Sequence, residues 1–258
     1  MKITLTKYNP SIDEAPYEKE YDVEYWDKMT ALEALAWINE NVERVAFDFS
    51  CRGRACGRCS MMVDGKPVHA CVTGLTDSAH TMGPLPGFPV LRDVVVDKSE
   101  AHNRLALRYN RIRSGQIGEE EAMTYNMDAY DKINGMEWCS RCLCCQVSCP
   151  AFKENSEAFV GPAMMLATAF RFYDPYDESD RVLEAVQGGL WNCIMCGECT
   201  KACAQKEIDH LAIWTDLREA ATKRGLTKEA TQPAKTDGSL IYNEYRSTVD
   251  EVITPDKV

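Results

Sequence analysis

Twelve of the thirteen cysteines fall into three spaced quartets, and nothing else in the chain restricts its fold so tightly. Cys51, Cys56, Cys59 and Cys71 follow C-x4-C-x2-C-x11-C. Cys139, Cys142, Cys145 and Cys149 follow C-x2-C-x2-C-x3-C and are closed by Pro150. Cys193, Cys196, Cys199 and Cys203 repeat that spacing without the proline. The first pattern is the plant-type spacing for a [2Fe–2S] cluster, and the other two are the bacterial ferredoxin run. Iron in such clusters takes thiolate ligands, four to a cluster. A chain carrying three such sets is expected to carry electrons.

Other uses of cysteine fit less well. Disulfide-dense chains are usually small secreted domains. This one has 258 residues, and its opening MKITLTKYNP lacks the apolar core of an export signal. Zinc also binds paired C-x2-C units, but a zinc site accounts for four cysteines and not for three quartets. The net charge of −11 disfavours nucleic acid as a partner, because an acidic chain repels phosphate. The longest near-apolar stretch, Phe159 to Phe170, falls short of the roughly 20 residues that span a bilayer. No direct membrane span is expected.

The first hundred residues read as a small β-rich domain. Ile3, Leu5 and Lys7 alternate with Lys2, Thr4 and Thr6, as in a strand. Tyr21, Val23 and Tyr25 form a second alternating run. Thr30 with Glu33 three residues later predicts a capped helix start, with Leu32, Leu35, Ala36 and Ile38 on its apolar face. Asp64-Gly65 predicts a tight hairpin between Met61–Val63 and Val68–Val72, returning Cys71 towards Cys59. Strand, helix and hairpin around such a loop predict a β-grasp, plant-type ferredoxin domain over residues 1–104.

A connector with Pro84, Pro86, Gly87 and Pro89 follows, and the composition then shifts towards helix. Glu119–Met123, Ala163–Phe172 and Asp209–Arg224 are the expected helical stretches, with Gly225 placed to end the last. Residues 105–225 therefore read as an all-α helical ferredoxin domain, and 226–258 as a C-terminal tail. The whole is an α+β chain.

In two-cluster ferredoxins the cysteine before the proline ligates the other cluster. By that rule one [4Fe–4S] cluster takes Cys139, Cys142, Cys145 and Cys203, and the other takes Cys193, Cys196, Cys199 and Cys149. Cys144, the thirteenth cysteine, is expected to be a buried thiol pointing away from the cluster. Arg52, Arg54 and Arg58 flank the first ligands and would favour a reduced, more negative cluster unless solvent screens them. Gly53 and Gly57 would let backbone N–H groups approach the sulfides. His69, His80, His102 and His210 form no spaced pair and read as surface or packing residues.

The chain resembles the iron–sulfur subunit of the succinate dehydrogenase/fumarate reductase family over residues 1 to about 220. Beyond the cysteines, the likeness includes Lys7-Tyr8-Asn9-Pro10, Met62-Val63-Asp64-Gly65-Lys66, Pro84-Leu85-Pro86-Gly87-Phe88-Pro89-Val90-Leu91-Arg92-Asp93, Phe159-Val160-Gly161-Pro162-Ala163 and Arg171-Phe172-Tyr173-Asp174. The resemblance implies an oxidoreductase subunit with no substrate site and no catalytic residue of its own. It implies a partner flavoprotein carrying FAD, with single electrons passing through [2Fe–2S], [4Fe–4S] and a third cluster to a membrane-anchor subunit and quinone. Without an export signal, the chain is expected peripherally on the cytoplasmic face of the membrane.

Three departures from the family pattern modify that expectation. Common members have an apolar residue in place of one third-cluster ligand, giving [3Fe–4S]; here Cys196 stands there, so a second [4Fe–4S] cluster is expected, with [3Fe–4S] the alternative. That variant is similar to members with a cysteine-rich, haem-free anchor or a thiol/disulfide partner. Positions that usually hold a tryptophan and a histidine near the quinone hold Glu154 and Ile194. The acidic residue and glycine of the [2Fe–2S] loop are Gly53 and Arg54, and Ala204 replaces a proline after the last ligand. Alternatives are the same electron wire serving a flavoprotein with another substrate, or a free-standing ferredoxin shuttle.

Overall fold

Alternation in the first residues becomes strand β1 (Lys2–Lys7), which turns Ile3, Leu5 and Lys7 inward. It is seen in a computed structural model that describes residues 1–118 and 127–227. The expected helix Glu119–Met123 lies outside the described residues, as does the tail from 228 on. The chain packs as two units, neither a continuous stretch. The first comprises Met1–Glu100, Glu137–Cys149 and Gly197–Asp209; the second comprises Ala101–Met136, Pro150–Cys196 and the chain from His210 on.

In the first unit five strands form one sheet in the order β2-β1-β5-β3-β4. β2 (Tyr17–Asp22) pairs antiparallel with β1, and β5 (His80–Gly83) pairs with β1 in parallel. β3 (Ser60–Val63) runs antiparallel to both β5 and β4 (Lys66–His69). Val63 pairs with Lys66, so Asp64 and Gly65 are the two turn residues, with φ of 48° and 73°. Positive φ at both positions matches the right-handed twist of the strands, which is why Asp-Gly serves there. The second strand of this hairpin is Lys66–His69 rather than the expected Val68–Val72. It stops at His69, and Ala70–Val72 form a single 3-10 turn that carries Cys71. A strand continued to Val72 would have pointed alternate residues to opposite faces; the turn curls Cys71 back instead.

Helix α1 (Ala31–Asn41) begins at Thr30, whose hydroxyl accepts from the Glu33 N–H while the Glu33 carboxylate accepts from the Thr30 N–H. Such a cap is worth about 1 kcal/mol. Ala31, Leu32, Ala34, Leu35 and Ile38 are buried, with Ala34 rather than Ala36 on the inner face. They share a core with Ile3, Leu5, Tyr21, Met61, Val63 and Met82. Lys7 is buried because Asp93 meets it: Nζ lies 3.1 Å from Asp93 Oδ2. The same carboxylate accepts from the Tyr8 and Ala46 N–H groups. Two of the motif blocks, around Lys7 and Asp93, thus form one buried hub. Asp93 leads out of β6 (Val90–Arg92), which pairs with β7 (Val95–Val96).

The second unit is helical. After α2 (Ser99–Tyr109) and α3 (Met127–Glu137), α6 (Pro162–Phe172) packs on α7 (Arg181–Gln187), and α9 (His210–Lys223) packs on both. The expected helices Ala163–Phe172 and Asp209–Arg224 correspond to α6 and α9, and Gly225 follows α9 with φ 71°. Arg108, Thr168, Arg181 and Glu184 join in a buried hydrogen-bonded network. Asp174, from the Arg171–Asp174 block, is paired with Arg111 and Arg171.

Candidate metal centres

The two bacterial-type runs build the same local structure twice. In the first, Arg141 and Leu143 have φ of 54° and 69°; in the second, Met195 and Gly197 have φ of 55° and 76°. These residues flank the second cysteine of each run. The left-handed residue at Leu143 leads into the short helix α4 (Cys144–Ser148), and the one at Gly197 into α8 (Glu198–Ala202). Each helix ends on the last cysteine of its run, Cys149 or Cys203, in extended backbone. Left-handed residues alternating with right-handed ones make backbone concavities that favour negative groups. α5 (Pro150–Glu154) follows the first run.

Cys51, Cys56, Cys59 and Cys71 come together in the first unit. The Gly53 and Cys56 N–H groups lie 3.4 and 3.3 Å from Cys51 Sγ. The hydrogen bond from Gly53, then those from the backbone and thiol of Cys56, bring the Cys51 thiol down to about 7. Burial pushes the Cys59 thiol up to about 12, with the Cys71 thiol against it and Cys56 nearby. Cys71 reaches Cys59 through the 3-10 turn, where the Ala70 N–H donates to Cys59 O at 3.0 Å.

A second group forms in the same unit. Cys145 is buried, which pushes its thiol well up, and Cys142, Cys139, Cys203 and Cys199 act on it electrostatically. Burial likewise pushes Cys203 up to about 11, and Cys142 and Cys139 add to the effect. Cys203 therefore lies near Cys142 and Cys139 of the first run. Ser148 Oγ bonds Glu198 O at 3.3 Å, so α4 and α8 lie together. Cys149 and Cys199 belong to this first unit, whereas Cys193 and Cys196 belong to the second. There burial raises the Cys193 thiol, the Met195 N–H and Arg218 oppose the rise, and Cys196 adds to it. Cys196 is exposed.

None of the thirteen cysteines is joined in a disulfide. Convergent thiols, with N–H donors aimed at sulfur, suit the negative charge of an iron–sulfur cluster. The residues present fit the group. Thiols held protonated by burial must release protons as iron binds.

Several participants are not visible in the spacing. Cys144 is buried as expected, and its thiol lies beside one member of the quartet, Cys142. Leu143, in left-handed conformation, reverses the chain so that Cys142 and Cys144 fall on one side, and with His69 they place a ring nitrogen and two thiols within 4.8 Å of one another. Hydrogen bonding from Cys144 pulls the Cys142 thiol well down against its burial, His69 helps, and Cys144 itself is pushed up. His69 is 2% exposed, and its Nε2 lies 3.4 Å from Ser140 Oγ. Arg54 is also committed within this unit. Its guanidinium reaches Ala204 O and Glu207 Oε1 at 3.3 and 3.2 Å, and Gln205 Nε2 donates to Arg54 O at 2.8 Å. The [2Fe–2S]-type loop is thereby tied to the segment after Cys203, and Glu207 partly neutralises Arg54. Arg52 lies over the Phe49 ring, 4.9 Å from its centroid.

Comparison with known proteins agrees with this geometry. Residues 2–103 match a family described as a 2Fe-2S iron-sulfur cluster binding domain, and residues 135–206 one described as a 4Fe-4S dicluster domain. The chain is 31% identical to a subunit of the fumarate reductase (CoM/CoB) of Methanothermobacter marburgensis, over 80% of this chain and 41% of that protein. It spans less than half the length of this and two other archaeal relatives. It is also 31% identical to the fumarate reductase iron-sulfur subunit of Escherichia coli O6:H1, over 82% of this chain and 89% of that one. A chain of the Mycobacterium smegmatis Sdh1 complex in the apo form superposes with a TM-score of 0.72 at 24% identity, covering 89% of this chain and 98% of that one, a likeness of fold. Two cluster-type thiol groups in this order, on this fold and with these relatives, place the chain in the family of fumarate reductase/succinate dehydrogenase iron–sulfur subunits.

Proposed function

We propose that this chain is the electron-carrying subunit of a fumarate reductase/succinate dehydrogenase assembly and holds no substrate site itself. The observation that carries the reading is the gathering of two cysteine groups in one unit, with Gly57 of the first loop backed against Cys142 of the second. Clusters bound there would take up and release one electron at a time.

In this reading Cys51, Cys56, Cys59 and Cys71 hold [2Fe–2S], and Cys139, Cys142, Cys145 and Cys203 hold [4Fe–4S]. Cys149 joins Cys193, Cys196 and Cys199 at a third cluster by the crossed-ligation rule. Cys196 supplies a fourth thiolate, so that cluster is [4Fe–4S] rather than [3Fe–4S]. The sheet order, with its parallel pair β1 and β5 and helix α1, supports a β-grasp ferredoxin domain over 1–104. The left-handed turns repeated in the two runs support a helical ferredoxin domain over 105–225, followed by the tail 226–258.

The partners are a flavoprotein carrying FAD and an anchor subunit at the cytoplasmic face of the membrane. Among the described residues no helix is long and apolar enough to cross a membrane, in keeping with a separate anchor. Cys196, with Glu154 and Ile194 at the quinone positions, favours a cysteine-rich, haem-free anchor or a thiol/disulfide acceptor over the common quinone pocket. A relative named fumarate reductase (CoM/CoB) supports the second of these.

The test is substrate-driven. The assembled complex is reduced with dithionite, excess reductant is removed, and fumarate is added anaerobically. Cluster EPR signals should bleach in the complex and persist in this chain alone. A complex that stays reduced would defeat the substrate assignment. Bleaching of the isolated chain would put substrate chemistry on it and defeat the division of labour.

A further inference from the structure

Lys98 lies just after β7, where Asp97-Lys98-Ser99 leads into α2. It is half-buried, and its ammonium turns inward to donate to Ser60 Oγ at 2.5 Å. Ser60 is 5% exposed and directly follows Cys59. Its hydroxyl also lies 2.9 Å from Gly57 O and 3.1 Å from Cys142 O. One hydroxyl thus touches the backbone of both cysteine loops, and a cation stands behind it. That partner is neutral, and the carboxylate acting on the ammonium is that of Asp48. Burial lowers the Lys98 ammonium, and the groups opposing that are Cys144, Cys142, Asp48 and Cys59, in that order. Lys98 therefore faces thiols of both groups.

We propose that Lys98 is a positioning residue for electron transfer. Its ammonium, held by Ser60 between the Cys56–Cys59 loop and Cys142, favours the reduced state of both clusters. Reduction adds one negative charge to a cluster, and a nearby, half-buried cation stabilises that charge with little screening. With both clusters bound, one electron would pass between them, and no bond or proton would move.

This inference rests on the cluster assignment above, and the experiment separates the two. The anaerobically purified complex is titrated with dithionite under EPR, as wild type, K98Q and K98R. Gln keeps a donor for Ser60 without the charge, and Arg keeps the charge. K98Q should lower both midpoint potentials, with iron content and line shapes unchanged. K98R should return both towards wild type. If K98Q loses a cluster, K98M replaces it as the neutral variant and is expected to shift the same way. Wild-type potentials in the neutral variants would overturn the proposal, as would an Arg variant shifted as far as the Gln one. Wild-type protein lacking [2Fe–2S] and [4Fe–4S] signals would overturn the cluster assignment itself, and the role of Lys98 with it.

Discussion

Gly57 is where one residue governs the approach of the two centres in the first unit. Its φ is 67°, and a methyl group on its Cα would lie 2.6 Å from Ser140 O and 2.9 Å from Cys142 Cβ. Left-handed backbone costs a non-glycine residue about 1–3 kcal/mol, and the contact with the Ser140 carbonyl adds to that. Gly57→Ala should therefore lower stability by at least that amount and reduce iron retained per chain, read by denaturation and by iron analysis. An alanine variant equal to wild type in both would show that the close approach is not required. The sequence announces a glycine in a ligand loop but not which neighbour it makes room for. Spacing suggests that Gly57 brings N–H groups to sulfur, yet the donors to Cys51 come from Gly53 and Cys56. Cys144, His69 and Lys98 are likewise illegible as participants. Spacing reports which residues are near along the chain, whereas these three act across it, from a reversed turn, from β4 and from the end of β7.

Elements with a strong local code were legible. The capping box at Thr30, the Asp64-Gly65 turn and the alternation of β1 need only a few adjacent residues, and each formed as expected. The 3-10 turn at Cys71 did not show, because it depends on pairing with Cys59 rather than on its own sequence. The two ferredoxin runs share spacing without sharing sequence; the backbone repeats all the same, since left-handed residues flank each second cysteine. In the helical unit, Asp174 clamps the end of α6 to Arg111. Burial alone would raise its carboxyl, but hydrogen bonds from Arg111, the Tyr176 N–H and Arg171 hold it below the usual value. A carboxyl lowered by folding stabilises fully above its unfolded value, about 3.9, and loses that contribution as the pH falls through its folded value. Asp174→Asn should therefore be less stable at neutral pH and lose stability less steeply below about pH 4. Denaturant midpoints across that range measure it; parallel slopes for the two proteins would mean that Asp174 contributes no pH dependence.

At the scale of the whole molecule, the order of the cysteine sets carries the family, and the first unit holds two groups of neighbouring cysteines. Chain order gives a poor guide to how the protein packs, however, because 137–149 and 197–209 join the first unit while 150–196 joins the second. Crossed ligation is the physical reason to expect such interleaving: a cluster that recruits Cys203 to the first run pulls a distant segment with it. The third cluster is the most informative centre, since Cys196 separates this chain from the common pattern. The decisive measurement is the EPR spectrum of the anaerobically purified complex, first oxidised and then reduced. With Cys196 as a ligand, the oxidised protein shows no [3Fe–4S] signal, and the reduced protein shows [2Fe–2S] together with two interacting [4Fe–4S] centres. Cys196→Ile then introduces the missing [3Fe–4S] signal. A strong [3Fe–4S] signal in undamaged, oxidised wild type would contradict this, making Cys196 a bystander and the chain an ordinary quinone-linked member.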